Sequence, residues 1–320
     1  MTYGYTLMTE QSGPRELVGH AAAAERAGFD FEVISDHYFP WLDAMGHASY
    51  AWSVLGAVTQ VTQRVGLMTY VTCPTMRYHP AIVAQKAATV GLLSEGRFTL
   101  GLGAGENLNE HVIGAGWPPV NVRHEMLREA LTIITSLLRG GYVDFAGDHY
   151  RVDSAKLWDL PVTPVPTGVA VSGEQSVRTF APVADHLIAV EPRADLVRLW
   201  DDVVDTTPGR KVGQLPVCWG EDRDACLDRA HELFRWFGGG WKVNAELPGT
   251  DAFAGASQFV TKDDIADSIP CGPELDPIVA AVREFEDAGF TDIALVQIGD
   301  ESQGDFLKVA EGELLPALRG

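Results

Sequence analysis

Short apolar runs alternate with longer amphipathic ones along most of the chain. The short runs are rich in β-branched and aromatic residues. They predict strands at residues 3–8, 29–34, 65–71, 98–102, 169–172, 186–190, 212–219 and 292–297. Apolar positions at helical spacing predict helices over 14–28, 48–62, 82–93, 123–139, 176–184, 195–205, 222–236, 277–288 and 305–318. The first helix carries its own punctuation: Pro14 at the start, Leu17, Val18, Ala21 and Ala24 on one face, and Gly28 as the stop. Repeated strand–helix alternation is the pattern of a parallel sheet. Eight such strands favour an α/β fold of the (β/α)8 barrel type over a doubly wound sheet.

Three stretches break the rhythm. Residues 107–122 contain Gly114, Gly116, Pro118 and Pro119 and read as an irregular loop. Residues 140–166 include a small hairpin at 142–152 around Gly147-Asp148. Residues 238–272 open on three glycines and hold no sustained period, which predicts an insertion or lid. The expectation is one barrel domain over 1–320 carrying these three insertions.

Composition narrows the class. Hydrophobic residues make up 46% of the 320 positions, enough for a large core, so disorder is not the reading for the whole chain. No run of eighteen apolar residues predicts a membrane span. The N-terminus reads as a strand, not a signal peptide. Cys73, Cys218, Cys226 and Cys271 form no Cys-x-x-Cys pair, so a cytoplasmic protein with reduced thiols is expected. A formal net charge of −20 repels nucleic acid and anionic membrane. An anionic ligand would therefore need local arginines, lysines or backbone N–H groups.

Candidate chemistry gathers at strand ends, where barrels carry their active sites. The second strand runs into Asp36-His37-Tyr38-Phe39-Pro40-Trp41, and Glu10, Thr72-Cys73 and Glu106 follow strands one, three and four. Taken singly, Glu10 suits a helix N-terminus and Asp36-His37 a turn. Four polar ends on one rim point instead to a site. His37 can take a proton near neutral pH. Asp36 could fix its tautomer or touch a ligand, and Trp41 offers a flat face and an N–H donor. Gly101-Leu102-Gly103-Ala104-Gly105-Glu106 is a weak dinucleotide fingerprint, because no helix is predicted after it; its glycines instead suit close approach of backbone to a flat ligand. Ser172-Gly173-Glu174-Gln175-Ser176 joins a strand to a helix and suits either an anion or an ordinary helix start. Arg193 follows the next strand. His47, His79, His111 and His124 lack metal-ligand spacing, and no metal is expected.

Several of these stretches together resemble the luciferase-like flavin and deazaflavin superfamily, and within it the coenzyme F420-dependent glucose-6-phosphate dehydrogenases. They are Thr9-Glu10-Gln11, Ser35-Asp36-His37 with Pro40-Trp41, Pro74-Thr75-Met76-Arg77-Tyr78 and Gly103-Ala104-Gly105-Glu106-Asn107-Leu108-Asn109-Glu110. The match is dense in the first half and an outline in the second. It implies a homodimeric barrel that uses coenzyme F420 to move a hydride to or from an alcohol or carbonyl carbon. By position it implies His37 as the base, Trp41 packed at the reacting centre, Glu106 as acid or hydrogen-bond partner at the deazaflavin, and Glu10 on the substrate side. It implies a cofactor seat from Asp36, Tyr70, Val71, Cys73, Gly105, Glu106, Asn109, Ser172, Gly173, Glu174 and Gln175, with a non-prolyl cis peptide at Tyr70–Val71. Substrate contacts fall to Glu10, Trp41 and Arg193.

One departure bears on the substrate. The sugar-phosphate enzymes hold phosphate with three basic residues. Here Arg193 replaces one, and the other two places fall near Ala254 and Ser268; Lys242 or Lys262 would have to substitute. An unpaired dianion would bind poorly, so an unphosphorylated alcohol, aldehyde or ketone is expected. An FMN-dependent monooxygenase of the same superfamily and a non-catalytic cofactor-binding protein are the alternatives.

Overall fold

A computed structural model describes residues 1–204 and 209–320. Its strands are β1 (Thr2–Leu7), β2 (Phe31–Ile34), β3 (Gly66–Thr69), β4 (Phe98–Leu102), β5 (Val143–Ala146), β6 (Arg151–Ala155), β7 (Thr167–Ala170), β8 (His186–Ala189), β9 (Lys211–Trp219), β10 (Cys271–Gly272) and β11 (Asp292–Gln297). Eight of them pair in parallel in the order β9-β11-β1-β2-β3-β4-β7-β8, and β8 pairs back to β9, which closes the barrel. β5 and β6 form a separate antiparallel hairpin, and β10 adds to the outer edge of β9. All eight predicted strands are barrel strands.

Alternation within each strand sorts side chains between two cores. Phe31, Val33, Met68, Ile188, Val212 and Ala294 form the plug inside the barrel. Tyr5, Leu7, Ile34, Leu67 and Leu100 belong to the larger layer beneath the helices. That layer is covered by α1 (Pro14–Ala27), α2 (Ala51–Val61), α3 (Pro80–Leu93), then, after the short α4 (Asn107–Glu110), by α5 (Val120–Leu138), α6 (Glu174–Phe180) and α7 (Ala194–Val203). Gly28 ends α1 in the left-handed conformation, φ 98°, as its position predicted.

The differences from expectation are local. α3 begins at Pro80 and α5 at Val120, each with its proline just at or before the first turn. The expected loop at 107–122 contains α4 and a 3-10 turn, His111–Ile113. The predicted helix at 195–205 runs Ala194–Val203, and residue 205 lies outside the described residues. After α8 (Arg223–Phe234), residues 235–269 fold into a 3-10 turn and three short helices, α9 (Trp241–Asn244), α10 (Thr250–Ala256) and α11 (Lys262–Ser268). α12 (Asp276–Asp287) precedes β11; α13 (Gln303–Val309), a π turn and α14 (Leu315–Arg319) make the closing helical segment. Among the described residues no helix is long and apolar enough to cross a membrane.

Candidate active site

The loops after β1, β2 and β4 bring three titratable side chains together at the C-terminal rim. Glu10 is buried. One carboxylate oxygen accepts from the Ser35 hydroxyl and from Thr9 Oγ1 (3.1 Å), which fixes the group on the β1 and β2 ends. Its other oxygen lies 3.3 Å from His37 Nδ1, and the Phe39 carbonyl is 3.1 Å from the same nitrogen. Two acceptors at Nδ1 suit a proton on that nitrogen, and Nε2 faces the rim. Glu106 Oε1 stands 3.6 Å from Nε2. One imidazole is thus held between two carboxylates from different loops.

Trp41 lies against this group, its ring centroid 4.8 Å from that of His37. The indole is held from the other side by residues 235–269: Trp236 stacks on it at 4.1 Å and 9°, and Phe253 meets it edge-on at 5.1 Å. This segment is therefore a cap on the rim. A second latch holds it. Glu246 accepts from Trp117 Nε1 (2.9 Å) and Arg123 Nη2 (2.9 Å), while Asn107 N donates to the Ala245 carbonyl (3.0 Å). Neither Trp236 nor Phe253 was legible as a site residue, because nothing local in a long aperiodic stretch ties them to Trp41.

Asp36 does not orient His37. Its buried carboxylate accepts from Trp52 Nε1 (3.0 Å), Thr72 Oγ1 (2.7 Å) and Tyr78 Oη (3.0 Å), with Arg77 Nη2 at 3.5 Å. Adjacent residues in extended chain point to opposite sides, so Asp36 turns into the rim's floor while His37 faces Glu10. Arg77 extends that floor: its backbone N–H donates to Glu110 (2.7 Å) and its Nη2 to the Asp36 carbonyl (2.7 Å). Burial pushes the Glu110 carboxyl up to about 7, with Arg77 pulling the other way. Thr72, Arg77 and Tyr78 stand in the sequence stretches above without a role, and Trp52 is not singled out there at all.

Asn109 is fully buried, and its amide is spent on the protein. Oδ1 accepts from Tyr38 N (2.7 Å) and Phe39 N (3.0 Å), and Nδ2 donates to Glu106. It thereby ties the His37 loop to Glu106. Cys73 is buried with its sulfur 2.9 Å from Thr75 Oγ1, and burial holds its thiol well up. Two glycines of the run, Gly101 within β4 and Gly105 after it, are required by the chain's own packing. A Cβ on Gly101 would strike the Thr69 carbonyl at 1.9 Å, and one on Gly105 the Cys73 sulfur at 2.4 Å.

Tyr70–Val71 is a cis peptide, at the expected bond. Tyr70 Oη donates to the Ala189 carbonyl (2.9 Å). At 172–175, Ser176 Oγ accepts from Ser172 N and Gly173 N, which leaves the Glu174 and Gln175 amides to open α6 toward the rim; a Cβ on Gly173 would meet open space. Arg193 is half exposed and forked onto Asp195, Nη2 to Oδ2 2.6 Å, so its charge is already paired. Lys262 pairs with Asp228, and Ser268 donates to the Asp264 carbonyl. The four histidines do separate jobs: His79 caps α3, His111 lies tilted against Phe39, His124 packs on Phe180, and His47 N donates to the Glu10 carbonyl. Among the described residues no three His, Cys, Asp or Glu side chains converge as metal ligands.

A closed parallel barrel with an imidazole clasped between carboxylates on its C-terminal rim defines a (β/α)8 barrel with the frame of an enzyme. The chain belongs to the luciferase-like monooxygenase family, whose model matches residues 1–292. The F420-dependent glucose-6-phosphate dehydrogenase of Nakamurella multipartita is 35% identical over 338 aligned residues, covering 99% of this chain and 96% of that one. The F420-dependent hydroxymycolic acid dehydrogenase of Mycobacterium tuberculosis is 42% identical over 186 residues, covering 58% of this chain and 52% of that one. Among solved structures, an F420-dependent secondary alcohol dehydrogenase in complex with an F420–acetone adduct superposes with a TM-score of 0.90. It has 26% identity and covers 100% of this chain and 99% of that one.

Proposed function

We propose that this protein is a coenzyme F420-dependent oxidoreductase acting on an alcohol or carbonyl carbon. The observation that carries this reading is the His37 imidazole, with Nδ1 facing the Glu10 carboxylate and the Phe39 carbonyl and Nε2 beside Glu106. The seat suits an organic, flat cofactor with a polar tail: Val71 and Ala104 are partly exposed at the rim, Gly173 borders open space, and the Glu174 and Gln175 amides lack intrahelical acceptors. Tyr70, Val71, Gly105, Ser172, Gly173, Glu174 and Gln175 would hold it, with Asp36, Cys73 and Asn109 building the floor and walls behind them. When bound, the deazaflavin supplies hydride transfer at C5.

The protein's part is placement and protons. In the oxidative direction His37 Nε2 takes the substrate hydroxyl proton, and the Glu10 carboxylate stabilises the imidazolium at Nδ1. Glu106 holds or accepts a proton on the facing side of the same ring. Trp41, backed by Trp236 and Phe253, walls the reacting centre and excludes water. The aromatic wall and the pairing of Arg193 and Lys262 by aspartates support an unphosphorylated substrate, although Lys242 in α9 forms no ion pair among the described residues. A homodimer is part of the same reading. The outer faces of α2 and α3 leave Val61, Ile82, Leu92 and Leu93 exposed, an apolar surface suited to a second copy. Free cysteines fit a reducing cytoplasm.

The test is a titration with F420 and, in parallel, FMN, followed by tryptophan fluorescence. Tight F420 and weak FMN binding is expected. A preference for FMN would overturn the proposal in favour of a monooxygenase.

A further inference from the structure

Three of the four cysteines meet at one place outside the site, where β9 receives β10. Cys218 and Cys271 are register partners on these adjacent parallel strands, and Cys218 N donates to the Pro270 carbonyl (2.8 Å). Adjacent strands lie about 4.8 Å apart, inside the window of about 4.4–6.8 Å between Cα atoms that a disulfide spans. Same-register neighbours in a ladder project to the same face. The Cys218 thiol also donates to the Cys226 carbonyl (3.2 Å). Arg229 closes the group, with Nε 3.3 Å from the Cys218 sulfur and Nη2 3.6 Å from the Cys226 sulfur.

We propose that Cys218 and Cys271 are a peroxide-oxidisable thiol pair whose disulfide pins the cap to the barrel. Cys271 is the more accessible partner, 8% exposed against 0% for Cys218. The Cys226 carbonyl holds the Cys218 thiol proton, which leaves Cys271 the freer as well as the more exposed sulfur. Cys271 is thus the attacking thiolate. It takes one oxygen from hydrogen peroxide as the O–O bond breaks; the released hydroxide leaves as water, and Cys271 becomes a sulfenic acid. The Cys218 thiol then attacks that sulfur, with the Arg229 guanidinium stabilising the negative charge that builds on it and its proton passing to the departing hydroxide. The S–S bond forms, the S–O bond breaks and a second water leaves. Two thiols are oxidised and one peroxide is reduced.

The position gives the bond a consequence. It encloses residues 219–270, which contain the entire cap. Cys218, Cys226 and Cys271 share one apolar cluster with Trp41, Phe253, Ile265 and Ile269. Joining β10 to β9 therefore ties the end of the cap to the strand beneath it, within the cluster that also holds Trp41. This inference does not depend on which cofactor or substrate the site takes.

The experiment treats the reduced full-length protein with hydrogen peroxide, then titrates thiols in denaturant and maps peptides. The four thiols of the chain should fall to two. Intact mass should drop by about 2 Da, two hydrogens per disulfide formed, with Cys218 linked to Cys271 and reversal by dithiothreitol. In C226S the link should still form and leave Cys73 as the free thiol; in C271S no thiol pair should be lost. Persistence of all four thiols, oxygen addition without a link, or a link between Cys218 and Cys226 would each overturn the proposal. The C226S protein and the peptide map decide the matter even where C271S fails to fold.

Discussion

Replacing Asn109 with leucine keeps the branched outline of a fully buried side chain, in a larger form, and removes every polar contact that side chain makes. The cost can be worked from its three hydrogen bonds. Tyr38 N and Phe39 N lose their shared acceptor. Tyr38 is exposed, so water can reach this edge, and each amide costs about 1 kcal/mol, the low end of the range for an unmade bond. Glu106 loses a hydrogen bond to a charged group, about 1.5–2 kcal/mol. The total of about 3–4 kcal/mol leaves a folded protein, against the 5–15 kcal/mol typical of a domain. The kinetic effect should be larger than the stability loss suggests. The same amide sets the spacing of His37 and Glu106, and a misplacement of about 1 Å at a reacting centre costs on the order of 100-fold. Urea unfolding measures the first quantity, and the rate of deazaflavin reduction with a saturating alcohol the second. Asn109→Asp separates them: it keeps the acceptor for the two amides but sets a second carboxylate against Glu106, so its stability should recover only as pH falls and the pair takes up a proton, while its rate at neutral pH stays low. A leucine variant within threefold of the native rate, destabilised by the predicted amount, would refute the positioning role.

Other expectations follow from the same geometry. Glu10→Gln keeps the shape beside His37 Nδ1 and removes the charge that stabilises the imidazolium, so kcat should fall about 10- to 100-fold with KM little changed; a rise in KM alone would assign Glu10 to substrate binding. Phe253→Ala should cost about 3–5 kcal/mol in urea unfolding as a buried aromatic truncated to a cavity, and Trp236→Ala should raise substrate KM without changing F420 affinity. Glu110 titrates at about 7 in the folded chain, raised by burial from the ordinary 4.5. Its contribution is therefore fully present below pH 4.5 and is lost as pH rises through 7, by up to about 3 kcal/mol. Unfolding free energies of the native protein and Glu110→Gln, compared from pH 5 to 8, should diverge by an amount of that order; parallel curves would exclude it.

The barrel was legible because its strands are short, apolar and bounded by turns. The rim residues were legible because Glu10, His37 and Glu106 each follow such a strand directly. What joins them was less so. Asp36 sits next to His37 in sequence, and alternation sends it to the opposite side, so proximity along the chain pointed to the wrong partner; Glu10, from another strand, holds the ring. The glycines at 101–105 have the composition of a ligand loop, and Gly101 and Gly105 are also required by close packing against Thr69 and Cys73. The cap resisted reading because α9, α10 and α11 span four to seven residues each, too short for a 3.6-residue period to register. The stack of Trp236 on Trp41 joins residues far apart in the chain, which no local pattern encodes.

The most direct test of the central claim is single-turnover reduction of F420 by an unphosphorylated secondary alcohol, in the native protein and in His37→Asn. The account predicts that both proteins bind F420 equally well, that the native protein bleaches the deazaflavin absorbance, and that the variant does so slower by about 100- to 10,000-fold, the weight of a positioned base. A variant as fast as the native protein would contradict the role of His37, and a native protein that binds no F420 would contradict the function itself.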